Sequence, residues 1–377
     1  MKVVVVKERA ANENRVALIP EGVQKLKNLG ADVWVEAGAG EQAGHVDAAY
    51  QKAGATLAAD AAALYADAAV VLRVGAPQQA ELALLPENSL LIGFLAPMTS
   101  PDLLAQLAQR RVTALAVEMI PRITRAQAMD ALSSQATVVG YKAVLNAAGA
   151  SGRFFPMLMT AAGTIPPAKV LVIGAGVAGL MAIATARRLG AVVQAFDIRA
   201  AAKEQVESLG AAFVGFHVAE GEGQGGYAQE VSEETKRKEH EHLRKLVAES
   251  DVVVTTAQVP GRRAPVLVTR DMLEAMKPGS VVVDCAAEAG GNCELTEAGK
   301  EIVFQGVRIQ GPLNLPSTLA THASFMYSRN VVALLSPLIK DGQLTVDLED
   351  DVVGPACVTH QGEVRVGRRA PAATGAS

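Results

Sequence analysis

Lys169-Val-Leu-Val-Ile-Gly-Ala-Gly-Val-Ala-Gly-Leu180 runs on to Val192-Val-Gln-Ala-Phe-Asp197. The apolar run Val170–Ile173 reads as a strand, and Gly174-x-Gly176-x-x-Gly179 reads as a turn opening a small-residue helix. A second apolar run then ends in an acid. Strand, glycine turn, helix, strand and carboxylate follow in the order of a dinucleotide site. Gly174 permits the tight turn, Gly176 lets the backbone approach a pyrophosphate, and Gly179 lets the helix lie on its strand. The phosphates would then face free N–H groups at a helix N-terminus, where the peptide dipoles favour negative charge. Asp197, eighteen residues past Gly179, can accept from an adenine-side ribose and would repel a 2′-phosphate, which favours NAD over NADP. Val170–Ala186 is also 17 uncharged residues long, at the lower edge for a membrane span. Its three glycines and β-branched start argue against one continuous helix.

The rest of the chain has the composition of a globular enzyme. Its 377 residues suffice for two domains; apolar residues make up 50% and charged residues 20%. Lys and Arg (35) nearly balance Asp and Glu (39) without a basic block, which argues against nucleic acid as a partner. Met1–Arg9 has four apolar residues before charge returns and reads as a strand, not a signal peptide. Cys285, Cys293 and Cys357 lack C-x-x-C spacing, consistent with a reducing cytoplasm and no structural disulfide. The only close histidines, His240 and His242, lie in Lys236-Arg-Lys-Glu-His-Glu-His-Leu-Arg-Lys245, most simply a solvated helix face; no metal site is expected.

Val3–Val6, Val33–Glu36, Val70–Val74, Leu90–Leu95 and Thr113–Val117 read as strands, with helices between them. One such helix is Glu21–Leu29, stopped by Gly30. Another is Leu103–Arg110, capped by Ser100 with Pro101 at its first position. This alternation predicts an α/β domain with a parallel sheet covered on both faces. A helix over 126–148 should link it to a second doubly wound domain over 149–319, with strands near Phe213 and at Val252–Thr256, Val281–Asp284, Ile302–Val303 and Val307–Ile309. A last helix near Ser324–Ile339 is expected to return to the first domain. That domain would then comprise 1–125 and 320–362, leaving 363–377 as a flexible tail. Gly215–Ser232 has five glycines in its first twelve residues and reads as a mobile lid.

A polar constellation precedes the nucleotide turn: Arg122, Gln127, Asp130 and Ser133. With a helix starting near Thr124, the last three lie on neighbouring turns of one face, and Arg122 can fold back onto Asp130. The plainer alternative is a Thr124-x-x-Gln127 capping box beside a surface ion pair. Periodicity alone leaves the two balanced.

Lys7-Glu-Arg9 with Asn12-Glu-Asn-Arg15-Val-Ala-Leu-Ile-Pro20 resembles the opening of the alanine dehydrogenase and NAD(P) transhydrogenase superfamily. Pro121–Gln135, Met159-Thr-Ala-Ala-Gly-Thr-Ile-Pro-Pro-Ala168 and Glu288-Ala-Gly-Gly-Asn292 resemble the soluble NAD(H)-binding components of proton-translocating transhydrogenases. The resemblance implies two Rossmann-like domains with the nucleotide in a cleft, a homodimer, and hydride transfer to NADP held on another component. A membrane component would couple that transfer to proton movement, with this chain cytoplasmic and attached through its partners. It also implies that Arg122, Gln127, Asp130 and Ser133 surround the nicotinamide, with Tyr227 on the closing loop. Gly174, Gly176, Val177, Ala178 and Gly179 would hold the phosphates. Asp197, Ile198, Arg199, Gly226, Ala257 and Gln258 would line the rest.

Hydride exchange between two nicotinamide rings moves no proton, so it needs positioning and exclusion of water, not a general acid or base. The nearest rival is alanine dehydrogenation. The resemblance implies that such enzymes carry a Lys after one strand of the first domain and a His after the next. Here those strand ends read Val71-Leu-Arg73-Val-Gly75 and Ile92-Gly-Phe94-Leu-Ala96, and neither Arg73 nor Phe94 handles a proton at working pH. Arg15, which the resemblance places at a carboxylate, reads more simply as a structural cation. A non-catalytic NAD-sensing module is the third alternative.

Overall fold

The computed structural model describes residues 1–215, 233–259, 261–340 and 342–366. The strands, in chain order, begin with β1 (Lys2–Val5), β2 (Asp32–Glu36), β3 (Thr56–Ala58), β4 (Val70–Leu72), β5 (Leu90–Gly93) and β6 (Thr113–Ala116). A hairpin follows, β7 (Leu158–Thr160) and β8 (Gly163–Ile165). Then come β9 (Lys169–Ile173), β10 (Val192–Phe196), β11 (Ala212–Phe213), β12 (Val252–Thr255), β13 (Val281–Asp284), β14 (Glu301–Phe304) and β15 (Val307–Gln310). A second hairpin, β16 (Ile339–Lys340) with β17 (Gln343–Leu344), precedes β18 (Cys357–His360) and β19 (Glu363–Val364).

Two compact units result, one of Met1–Gln135 with the chain from Ser317 onward, the other of Ala136–Pro316. In the first unit the sheet runs β19-β18-β6-β5-β4-β1-β2-β3. Strands β1 to β6 are mutually parallel, and β18 and β19 add an antiparallel edge. Both faces of β1 are buried. Val3 and Val5 join a core with Val23, Leu26, Tyr327 and Val331, whereas Val4 and Val6 join one with Leu64, Leu104 and Leu107. That is why the strands read as unbroken apolar runs without polar alternation.

The second unit repeats the scheme, with sheet order β11-β10-β9-β12-β13-β15-β14. Within this sheet only β14 is antiparallel to its neighbour. Val170 and Val172 face Ala182 and Ile183 of the helix Val177–Arg188. Leu171 and Ile173 face Leu243, Leu246 and Val247 of the helix Glu233–Glu249. Strand β9 starts the unit from the middle of the sheet: the chain builds outward to β10 and β11, then returns past β9 to β12. The crevice beyond the carboxyl end of β9 is therefore a topological switch point, where open α/β sheets bind ligands. Val170–Ala186, the stretch of borderline membrane length, is split into a strand, a turn and a helix. Among the described residues no helix is long and apolar enough to cross a membrane.

The structure departs from the sequence reading in four places. The long helix spans Ala131–Ala150 instead of 126–148, and Thr124–Met129 forms a separate 3-10 segment before it. Its later half packs on the helix Val177–Arg188, where a Cβ on Gly140 would overlap the carbonyl oxygen of Ala178. Gly140→Ala should therefore lower the unfolding free energy by about 2 kcal/mol, read from a urea titration; an unchanged midpoint would mean the helices separate at no cost. The β7–β8 hairpin occupies a stretch that reads in sequence as a boundary. The chain after Ile339 still builds β16 to β19, so the expected tail starting at 363 opens with two strand residues. Finally, His240 and His242 are half-buried: His242 Nε2 lies 2.8 Å from the Val214 carbonyl and His240 Nε2 lies 3.2 Å from Thr269 Oγ1.

Candidate nucleotide site

In the second unit, β9 ends at Ile173 and the helix starts at Val177 with Gly176 as its N-cap. Gly174 has φ +97°, a backbone region that L side chains rarely adopt. Its carbonyl accepts from Thr256 Oγ1 at 2.9 Å, fixing the turn to the end of β12. A Cβ on Gly179 would overlap the Gly174 oxygen, so only glycine lets the helix lie this close. Gly176 differs from both: a Cβ there meets nothing within 4 Å. The three glycines therefore serve turn, open space and close approach, which suits a pyrophosphate over the first-turn N–H groups of Val177, Ala178 and Gly179. Val177 is 41% exposed and projects from this end. Arg187 and Arg188 occupy the helix's last turn, complementing its dipole at the other end.

Asp197 follows β10 and is 7% exposed. Its Oδ2 accepts from the Ala175 N–H at 2.7 Å, tethering the acid to the glycine turn. Arg199 supplies its backbone N–H and Nε to Oδ1, both at 2.9 Å, and Nη2 to Oδ2 at 2.8 Å. Burial alone would raise the Asp197 pKa, but these bonds outweigh it and hold the carboxyl below its ordinary value. The stability they contribute is present above the unfolded carboxylate pKa and is lost as pH falls through the lower folded value. Asp197→Asn should remove about 2 kcal/mol at neutral pH and flatten the acid limb of stability against pH. An identical acid limb in the variant would contradict this.

After β12, Ala257 and exposed Gln258 lie on a segment pinned by Asn292, which is fully buried. Asn292 Oδ1 accepts from the Ala257 N–H at 3.0 Å, and Nδ2 donates to the carbonyls of Ala257 and Pro265, each at 2.8 Å. Read as sequence, Asn292 closes the stretch Glu288–Asn292 with no role of its own. The available signal is an amide following two glycines, Gly290 and Gly291, both of which take positive φ. Tyr227 and Gly226 lie outside the described residues, as does the stretch 216–232.

The polar constellation lies in the first unit, arranged differently from the sequence expectation. The 3-10 segment Thr124–Met129 has Ile123 at its N-cap and no side-chain cap bond, so the Thr124–Gln127 capping box does not form. Nor do Gln127, Asp130 and Ser133 share a face of one helix. Asp130 instead caps the helix Ala131–Ala150: Oδ1 accepts from the Ser133 N–H at 2.9 Å and Oδ2 from Ser133 Oγ at 2.6 Å. A carboxylate three residues before an N–H satisfies one of the unpaired donors of the first turn, which sets the helix start. Asn330 Nδ2 donates to the Ala128 carbonyl at 2.9 Å, holding the 3-10 segment in place. Arg122 and Gln127 are exposed; Asp130 and Ser133 are half-buried.

The strand ends of the first unit carry a buried ion network. Arg73, 1% exposed, pairs with Glu81 at 3.1 Å and Glu8 at 3.4 Å, and its Nε donates to the Gly75 carbonyl at 2.7 Å. Burial raises the Glu8 pKa against the pull of Arg73. Phe94 stacks on Tyr327 with ring centroids 5.7 Å apart, and Tyr327 donates to the Arg73 carbonyl at 2.7 Å. Arg15 forks onto Glu13 at 2.8 and 2.6 Å and reaches Gln135 at 2.8 Å. Neither Arg73 nor Phe94 can shuttle a proton near neutral pH.

Residues 4–139 match the family model Alanine dehydrogenase/PNT, N-terminal domain, and residues 143–367 match Alanine dehydrogenase/PNT, C-terminal domain. This chain belongs to that family. Within it, the chain is an NAD(P) transhydrogenase component. It is 48% identical to an NAD(P) transhydrogenase alpha-subunit chain of Rhodospirillum rubrum, over 97% of each chain. The crystal structure of transhydrogenase from Sinorhizobium meliloti superposes with a TM-score of 0.88 at 47% identity, covering 97% of this chain and 100% of that one. An alanine dehydrogenase of Halomonas elongata is 32% identical over 97% of this chain and 94% of its own. Family membership makes this a chain that binds a nicotinamide nucleotide, and both units have the α/β architecture of that family.

Proposed function

We propose that this transhydrogenase component binds NADH and passes hydride directly to NADP⁺ held on a separate partner, with a membrane component coupling the transfer to proton movement. The glycine turn and Asp197 hold the adenosine and phosphate end. Arg122, Gln127, Asp130, Ser133 and Tyr227 serve the nicotinamide end. Gln127 and Ser133 offer neutral hydrogen bonds to carboxamide and ribose, and Asp130 supplies the negative charge that favours a ring becoming cationic as it loses hydride. The working form is a homodimer on the cytoplasmic side of the membrane, attached through its partner subunits, and it needs no metal.

The observation that carries this reading is the chemistry of the strand ends in the first unit. Arg73 is committed to two glutamates and Phe94 to Tyr327. An amino-acid dehydrogenase must move a proton as well as a hydride, and neither residue can. Gly174–Gly179 is set between a strand and a helix as a dinucleotide turn requires, and we assign the acceptor nucleotide to the partner.

Calorimetry with NADH and NADPH, combined with an assay containing NADH, pyruvate and ammonia, tests the reading. NADH should bind more tightly than NADPH, and NADH should persist in the presence of pyruvate and ammonia. Rapid oxidation of NADH by that mixture would establish the amino-acid dehydrogenase instead.

A further inference from the structure

The Asp197–Arg199 pair carries a consequence for nucleotide choice. An aspartate at this place would ordinarily present a free carboxylate to a ribose. Here each oxygen already accepts two bonds: Oδ1 from the Arg199 N–H and Nε, Oδ2 from the Ala175 N–H and Arg199 Nη2. The two backbone donors are fixed by the turn and by the chain. The two guanidinium donors come from a side chain that is 27% exposed against 7% for Asp197, so they lie on the solvent side of the carboxylate. Nε and Nη2 form a planar fork that meets both oxygens at once. A cis-diol presents two donors in the same way.

We propose that Arg199 is a specificity-determining latch: its guanidinium fork occupies the Asp197 oxygens that a ribose 2′,3′-diol must reach, so guanidinium and diol compete for one carboxylate. The inference rests on the reading of the Gly174–Gly179 turn as the nucleotide site. Two effects follow. NADH binds more weakly than it would to a bare aspartate, because Arg199 must first be displaced. A nucleotide bearing a 2′-phosphate is discriminated against less strongly than Asp197 alone would achieve, because the displaced or paired guanidinium offsets the repulsion. Arg199 thus narrows the gap between the two coenzymes while leaving NADH preferred.

The test is calorimetry on the full chain and on Arg199→Ala and Arg199→Lys, with NADH, NADPH, 5′-AMP and 2′,5′-ADP. In Arg199→Ala, NADH and 5′-AMP should bind about tenfold more tightly, and NADPH and 2′,5′-ADP about tenfold more weakly. Arg199→Lys, a point charge without a fork, should fall between. Weaker or unchanged NADH and 5′-AMP binding in Arg199→Ala would overturn the latch and make Arg199 a residue that merely orients Asp197. If the unaltered chain binds neither NADH nor 5′-AMP, the nucleotide reading itself fails and takes the latch with it. Circular dichroism melts on each variant keep a folding defect from passing as a loss of affinity.

Discussion

Gly176→Val should lower NADH affinity by about 1,000-fold and leave the melting temperature within about 2 °C of the unaltered chain. The reason lies in what surrounds each glycine. Gly176 has φ −76°, a conformation open to any residue, and a side chain there points into open space. Folding therefore has little to lose. Binding has much to lose, because the space left open at a helix N-terminus is where a pyrophosphate must approach within hydrogen-bond distance of the backbone. Gly179 makes the control. A Cβ there would overlap the Gly174 oxygen, so Gly179→Ala should damage stability and affinity together. Calorimetry and thermal melts on the two variants separate the cases. Full NADH affinity in Gly176→Val would show that this turn serves packing alone.

Asp130→Asn should slow hydride exchange about 100-fold with NADH affinity held within about tenfold. Asparagine caps a helix nearly as well as aspartate, so the Ser133 N–H keeps an acceptor and the helix Ala131–Ala150 keeps its start. What disappears is the negative charge, and removing one preorganised electrostatic contact at a reacting centre commonly costs about 100- to 1,000-fold. Asp130→Ala should lose the cap as well, adding about 1 kcal/mol of instability. Rates equal to those of the unaltered chain in Asp130→Asn would confine Asp130 to capping. Single-turnover absorbance at constant nucleotide saturation reads the step without interference from binding.

Much of the fold is legible in the sequence because both sheets are covered on both faces. Val170–Ile173 and Val281–Asp284 read as apolar runs, and the structure places β9 and β13 there. Elements held mainly by tertiary pairing are not legible. β18 and β19 contribute four and two residues at a sheet edge, too short for a period to register. The 3-10 segment at Thr124–Met129 reads in sequence as the first turn of an α-helix, since six residues do not distinguish three residues per turn from 3.6. That reading puts Asp130 inside a helix, though aspartate favours the position just before one.

At the candidate site, the glycine turn and the acid after β10 are readable from spacing. The pairing of Arg199 with Asp197 is not, because two residues apart at a strand end the pair depends on how the chain turns. Asn292 is likewise opaque: its partners Ala257 and Pro265 lie 35 and 27 residues away in sequence. Arg73 reads in sequence only as a residue unable to carry a proton. Its burial between Glu8 and Glu81 requires the sheet to bring the ends of β1 and β4 together. Such a charge persists in a core only when paired, which is why its role is structural.

In the proposed reaction hydride passes directly from a nucleotide on this chain to one on a partner. Reconstitution of the full chain with an NADP-binding transhydrogenase component, using NADH deuterated at the transferable C4 position, tests it most directly. Deuterium should appear in NADPH without loss to water, at a rate that depends on both proteins. Label washed into solvent, or NADPH formed by this chain alone, would contradict it.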